Sequence, residues 1–287
     1  MSIAYKKFNV VKIILNKSIF DDNVIHKILT YYWNILEHKK KVLLPWINLN
    51  KLYWDQLSRN INAIDILREK INTEKLLKPN EYYKLGLFDV VDWEYLSANP
   101  NAIDLLKENK NKIIWNWLSK NPNAIDILKE NYNKINWDIL SSNANAIELL
   151  QQNADKINWN NFSLNQNEKA IELLANNLDK VNWCNLSSNP NAINILLDNF
   201  DHIETDSLIY NENAMDILCF FTIDWDVLSI NSDYIELLEE NIDKLNWSLL
   251  SENPNVIQIL EKNQDKINWY RLSSNHAIFE NEKIPII

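Results

Sequence analysis

The sequence predicts an all-α protein, an α-solenoid of about eleven two-helix repeats of 22 residues, and three features carry that expectation. Tryptophan returns every 22 residues at Trp93, Trp115, Trp137 and Trp159, and again at Trp225, Trp247 and Trp269. Within each period the apolar residues fall at helical spacing, in two short runs. Between the runs stands Asn-Pro, at Asn99-Pro100, Asn121-Pro122, Asn189-Pro190 and Asn253-Pro254. A fixed period of this size marks an array whose units are too small to hold a core and must bury their apolar faces against neighbours.

Each element follows from the residues. With Trp115 as position 1 of a unit, positions 1, 4 and 5 share one side of a helix and positions 2, 3 and 6 point away. Positions 10, 11, 13, 14 and 17 share the inner face of a second helix, antiparallel to the first. Asn at position 7 is an N-cap, and Pro at position 8 sits where its missing N–H costs nothing. Asn131, Asn153, Asn177, Asn199 and Asn241 stand at position 17, and with Gly86 the only glycine they are the residues expected to take the left-handed conformation that ends a helix. Asn136, Asn158 and Asn246 at position 22 cap the next short helix. The tryptophans, each able to bury roughly 150–250 Å², are expected to wedge neighbouring units together.

Residues 1–45 read as a basic N-terminal helical extension, with a longer capping helix over Asp21 to Lys40, and residues 46–287 as the array with a C-terminal cap. A plain cap explains Ile19 to Leu29 better than an F-box start, whose leading Leu-Pro is absent. The 39 residues from Trp54 to Trp93 read as two shortened units, the second starting near Thr73 with Pro79 opening its second helix. Trp159 to Trp183 is 24 residues, because Gln166 to Lys169 lengthens the turn between helices. Thr205 replaces tryptophan one unit on, and Asp201 to Asp224 is the weakest part of the stack. The last unit loses two turn residues before Ala277, and Ile284 to Ile287 form the cap. At ~9–10 Å per layer, eleven units would make a rod or superhelix on the order of 100 Å long.

Composition narrows the function. A 46% hydrophobic fraction with 12 Trp excludes global disorder. One glycine cannot build a P-loop or a dinucleotide fingerprint. Cys184 and Cys219 suggest neither a disulfide framework nor a zinc site, which favours an intracellular location. No apolar run reaches the ~20 residues that span a bilayer, and the N-terminus lacks a signal-peptide pattern. Eight lysines against three acids give residues 1–46 a charge of +5, so the total of −10 leaves −15 on the array. Such a surface repels phosphate backbones, making nucleic acid an unlikely partner.

The motifs Trp-Asp-Ile-Leu-Ser-Ser-Asn at 137–143, Asn-Pro-Asn-Ala-Ile at 121–125 and Asp-Lys-Ile-Asn-Trp at 265–269 resemble short-repeat proteins of mimivirus-like giant DNA viruses. The resemblance covers roughly residues 45–280, with Pro45-Trp46-Ile47 similar to the way such arrays begin. It implies a host-infecting, intracellular context, in host cytoplasm or virion, and brings no catalytic residue or cofactor.

Candidate chemistry is sparse. His26, His38, His202 and His276 are scattered, and no His, Cys or Ser arrangement marks a nucleophile or metal site. Acids at position 12 (Asp65, Asp104, Asp126, Glu148, Glu172, Asp216, Glu236) and lysines at position 20 (Lys112, Lys134, Lys156, Lys180, Lys244, Lys266) form two ladders that are expected to pair along the surface. Positions 3 and 6 vary while the framework repeats, as on a solenoid with a tailored binding face. The candidate partner-binding residues are therefore Tyr95, Trp117, Ile139, Asn161, Asn185, Val227, Leu249 and Arg271, unless they only pack on neighbouring helices. Tyr95, Trp117 and Ile139 would form an exposed apolar stripe. The expectation is a non-enzymatic scaffold binding a protein partner without a cofactor, a viral adaptor acting on a host protein. The alternative is a structural component of a virion or assembly.

Overall fold

The computed structural model describes residues 40–78, 81, 90–208, 210–214, 217, 225–231 and 235–282. The chain divides into two units, Pro45–Ile278 and Met1–Leu44 with Phe279–Ile287. The helix expected from Asp21, the histidines His26 and His38, Pro79, Asp216, Cys219 and the terminal Ile284–Ile287 lie outside the described residues.

Pro45–Ile278 is the all-α repeat array. In the Trp115 repeat, a first helix (Trp115–Lys120) leads through a 3₁₀ turn (Pro122–Ala124) to a second helix (Ile125–Glu130) and a closing 3₁₀ turn (Tyr132–Lys134). Leu at positions 4 and 14 and Ala at position 10 form the core: Leu118, Leu128 and Ala124 are fully buried, and so are Leu140, Leu150 and Ala146 one repeat on. Tryptophan is half-buried in every repeat that carries one, so the central wedge is leucine. The outer face of the indole carries the position-20 lysine: Lys134, Lys156 and Lys266 lie 4.7, 4.5 and 4.6 Å above Trp115, Trp137 and Trp247. Cation–π contact thus takes up Lys134, Lys156, Lys180, Lys244 and Lys266 of the ladder in place of the expected pairing with position-12 acids. In the Trp183 repeat His202 substitutes for lysine and stacks flat on the indole at 4.5 Å.

The position-7 asparagine does far more than cap. Asn121 Oδ1 accepts the Asn123 N–H, and Asn121 Nδ2 donates to Ser97 O (3.0 Å) and Asn99 O (2.8 Å) in the preceding repeat. Asn99, Asn143, Asn165, Asn189 and Asn211 repeat the pattern, all buried. A second ladder runs beside it: Ser119 Oγ donates to Trp115 O and accepts the N–H of Asn136, the cap of the next first helix, both at 3.0 Å. Buried polar groups need partners, and these sites find them across the repeat boundary.

Position-22 asparagines cap the first helices as expected; Asn136 accepts from Ile139 N–H and Asn158 from Asn161 N–H. Position-17 asparagines behave differently from expectation. Asn131 has φ −126° and ψ 48°, and no described residue has positive φ. The helix is closed by the side chain instead, Asn131 Nδ2 donating to Ile127 O at 2.9 Å, with Asn109, Asn153, Asn177, Asn199 and Asn263 doing the same.

Three irregular places depart from the expected layout. Near Thr73 no new repeat begins: one 13-residue helix runs from Ile64 to Leu76, and Asn99 bonds directly to Ser58 O and Asn60 O, so the Trp54 and Trp93 repeats are neighbours. Ten first helices are therefore described rather than eleven. The insertion at Gln166 to Lys169 lengthens the second helix, Glu168–Ala175, in place of the 3₁₀ turn and leaves the asparagine ladder in register. The last unit loses no turn residue: Asn275 Oδ1 accepts the Ala277 N–H, and Ile278 fills the buried position-10 site.

The array closes on itself. Asn60 Nδ2 donates to Ser273 O and Asn275 O, both at 3.0 Å, and the Tyr53 N–H reaches Ser273 Oγ at 2.9 Å. These are the bonds that join any two adjacent repeats, so the first repeat takes the last as its predecessor. Lys51 lies 4.5 Å above Trp269, as position-20 lysines do elsewhere. An equal rotation per repeat that closes gives a ring, not the open rod or superhelix expected from the period alone. Nine of the ten junctions are carried by described residues; the one between the Thr205 and Trp225 repeats rests on residues outside them. First helices of neighbouring repeats pack against one another, most closely from the Trp269 repeat through the Trp54, Trp93 and Trp115 repeats to the Trp137 repeat.

In the other unit, strand β1 (Lys41–Leu43) pairs antiparallel with β2 (Phe279–Asn281), Lys41 opposite Asn281 and Leu43 opposite Phe279.

Candidate functional site

The first helices present positions 2, 3 and 6 away from the core, as their spacing dictates. Position 3 is nonetheless half-buried or buried throughout, because neighbouring first helices are close enough for each side chain to reach the preceding repeat. Gln56 and Val227 are only 3% exposed. Asn161 Nδ2 donates to Asp138 O and Asn185 Nδ2 to Asn160 O. Arg271 pairs with Glu252 at 2.8 Å. Tyr95 meets Trp117 edge-on, ring centres 5.8 Å apart, and Arg59 lies 5.7 Å above the Tyr95 ring. The proposed exposed stripe is therefore a packed belt.

Part of that belt opens into a groove. A cavity of about 650 Å³ runs across three consecutive repeats. Trp117, Ile139 and Asn161 supply position 3, and Lys120, Ser142 and Leu164 supply position 6. Pro122, Ala144 and Gln166 close one edge from position 8. Three of the expected residues thus come together, and Tyr95 supports them through Trp117. Asn185, Val227, Leu249 and Arg271 belong to other sectors and do not line the groove. Leu164, Pro122 and Ala144 were not singled out by sequence. Position 6 was legible as outward-facing, whereas position 8 carries proline for its turn and gives no sign that its ring also forms a wall.

The lining is mostly apolar, and Lys120 is its single charged side chain. Such a surface favours an apolar side chain seated between helices and a polar or acidic group near Lys120. It contains no paired acid and base.

A further polar cluster lies at the closure, where Asp55 and Gln56 are buried. Gln56 Nε2 donates to Asp55 Oδ2 (3.0 Å) and to the Tyr270 hydroxyl (2.6 Å), while Asp55 Oδ1 is buried with no hydrogen-bond partner among the described residues. Burial raises the Tyr270 phenol above its ordinary value, helped by the neighbouring Asp55 carboxylate to which it hydrogen-bonds. Burial also raises the Glu74 carboxyl, against the opposing hydrogen bond from Val91 N–H. Among the described residues no cluster of three His, Cys, Asp or Glu could hold a metal ion. No helix among them is long and apolar enough to cross a membrane.

No family model, no curated protein and no solved structure matches the chain.

Proposed function

We propose that this chain is a non-enzymatic ring scaffold that binds a protein partner, taking an extended or helical segment of it into the groove between Trp117, Ile139 and Leu164. The observation that carries this reading is the groove itself, about 650 Å³ of mostly apolar surface spread over three repeats. Its walls stand on a framework of buried Leu, Ser and Asn that repeats along the array, while positions 3 and 6 change from repeat to repeat. Binding interfaces are anchored by aromatic and aliphatic side chains in such pockets. The resemblance to giant-virus repeat proteins makes a host protein the partner to look for, with the ring acting as adaptor.

A photo-crosslinking residue placed at Ile139 in the tagged protein, expressed in cells, tests the proposal. A discrete protein adduct is expected from Ile139, absent from a control site at the exposed Asp126 and abolished by Leu164→Lys at unchanged helicity. Identical adduct patterns from the two sites would overturn it.

A further inference from the structure

A second cleft, sharing no residue with the groove, lies where the Trp93 repeat meets the Trp115 repeat. It has a volume of about 880 Å³, and Lys107, Lys110 and Lys134 surround it against one acid, Glu130. Net +2 in a chain of formal charge −10 is a local inversion of sign. Its floor is apolar, made by Ile113, Trp115 and Ile127. Lys134 is already fixed there, its ammonium 4.7 Å above the Trp115 ring.

The other repeats provide an internal control. At position 19 the Trp137, Trp159, Trp183, Trp225 and Trp247 repeats carry carboxylates, Asp155, Asp179, Asp201, Asp243 and Asp265, where this cleft has Asn111 and the Trp115 repeat has Asn133. At position 15, where this cleft has Lys107, the Trp137, Trp225 and Trp247 repeats have Gln151, Glu239 and Glu261. The next cleft along keeps a lysine at position 15 but is filled by Tyr132, whose hydroxyl donates to Asn153 Oδ1 at 2.6 Å and accepts from Lys156 Nζ at 3.0 Å. Here position 18 is Lys110, which occupies no such place. Among the described residues Lys107 and Lys110 have no ion-pair partner.

We propose that this cleft binds a phosphate monoester, with the lysines holding the dianion and the Ile113 and Ile127 side of the floor receiving the apolar body of the ester. Two net positive charges match a dianion better than a carboxylate, and lysine binds phosphate as a point charge without the planar geometry arginine imposes. The ester comes either from a phosphorylated side chain of a protein or from a free small molecule, and both present the same chemistry to the cleft. The site does not depend on the protein-binding groove.

Isothermal titration of the full chain with phenyl phosphate tests the proposal, beside inorganic phosphate and benzoate. Saturable binding of phenyl phosphate at submillimolar concentration is expected, with both comparators weaker. Lys107→Gln with Lys110→Gln should weaken it at least tenfold, whereas Lys262→Gln with Lys266→Gln, on another sector, should leave it unchanged. Each variant is first checked for an unaltered thermal transition. A phosphotyrosine peptide binding more tightly than phenyl phosphate marks a protein source, and equal binding a small molecule. Failure of the wild-type chain to bind phenyl phosphate at millimolar concentration, or equal binding by the Lys107/Lys110 variant, overturns the site.

Discussion

At the scale of single residues, the buried position-7 asparagine joins one repeat to the next. Its amide makes three hydrogen bonds, two of them to carbonyls of the preceding repeat. Asn143→Ala should destabilise the protein by about 2–4 kcal/mol, since three hydrogen bonds are lost and the Ser119 carbonyl loses its partner across the repeat boundary. Asn143→Asp should cost more than Ala, because a carboxylate offers no donor and would face both carbonyls; urea unfolding of the two variants gives the order. The sequence identifies Asn at position 7 as a cap, because capping is local and needs only the spacing to position 9. Its second role was not legible, since the carbonyls it meets lie 22 and 24 residues earlier and become neighbours only through stacking. The same limit applies to lysine at position 20. Charge alone pairs it with an acid, whereas the fold places it on an indole.

At the scale of elements, helix boundaries were largely legible and their chemistry less so. Both helices of the repeat follow from the apolar spacing, but the closing asparagine does not take the left-handed conformation that scarcity of glycine suggests. The distinction is measurable. If Asn153 were left-handed, Asn153→Gly would be neutral or stabilising. With φ −134° and the Nδ2 bond to Leu149 O, the glycine variant should instead cost about 1–2 kcal/mol, from the lost bond and the greater freedom of the unfolded chain. Irregular spacings misled for a related reason. The 39 residues between Trp54 and Trp93 can be divided on paper into two units, yet the continuous helix Ile64–Leu76 buries Leu67 and Ile71 on one face and leaves no boundary at Thr73. The groove was half legible: outward positions 3 and 6 are set by helical geometry, whereas the close approach of neighbouring first helices, which converts an exposed stripe into a belt with one opening, is a property of their packing.

At the scale of the whole array, the period announces stacking but says nothing of curvature, so closure could not be read from it. A small constant rotation per repeat decides between rod, superhelix and ring, and it is set by side-chain volumes across every junction. Closure gives the junction between first and last repeats the same standing as the others. Its Tyr270 phenol, raised by burial and by Asp55, binds its proton more tightly folded than unfolded. That contribution is complete below about pH 10, the ordinary tyrosine value, and is lost as pH rises through the higher folded value. The unfolding midpoint should therefore fall more steeply above pH 10 in the wild type than in Tyr270→Phe; parallel curves would remove Tyr270 from the closure's energetics.

The most direct test of closure is a distance between the first and last repeats. Ile61 and His276 are both exposed, and the neighbouring Asn62 Nδ2 donates to His276 O at 2.9 Å. Spin labels at Ile61→Cys and His276→Cys, in a background with Cys184→Ser and Cys219→Ser, can be measured by pulsed electron resonance. A closed array places the labels within about 20 Å of each other, one repeat spacing plus label length. An open stack of the same repeats would separate them by on the order of 80 Å, and a distribution centred there would contradict the ring.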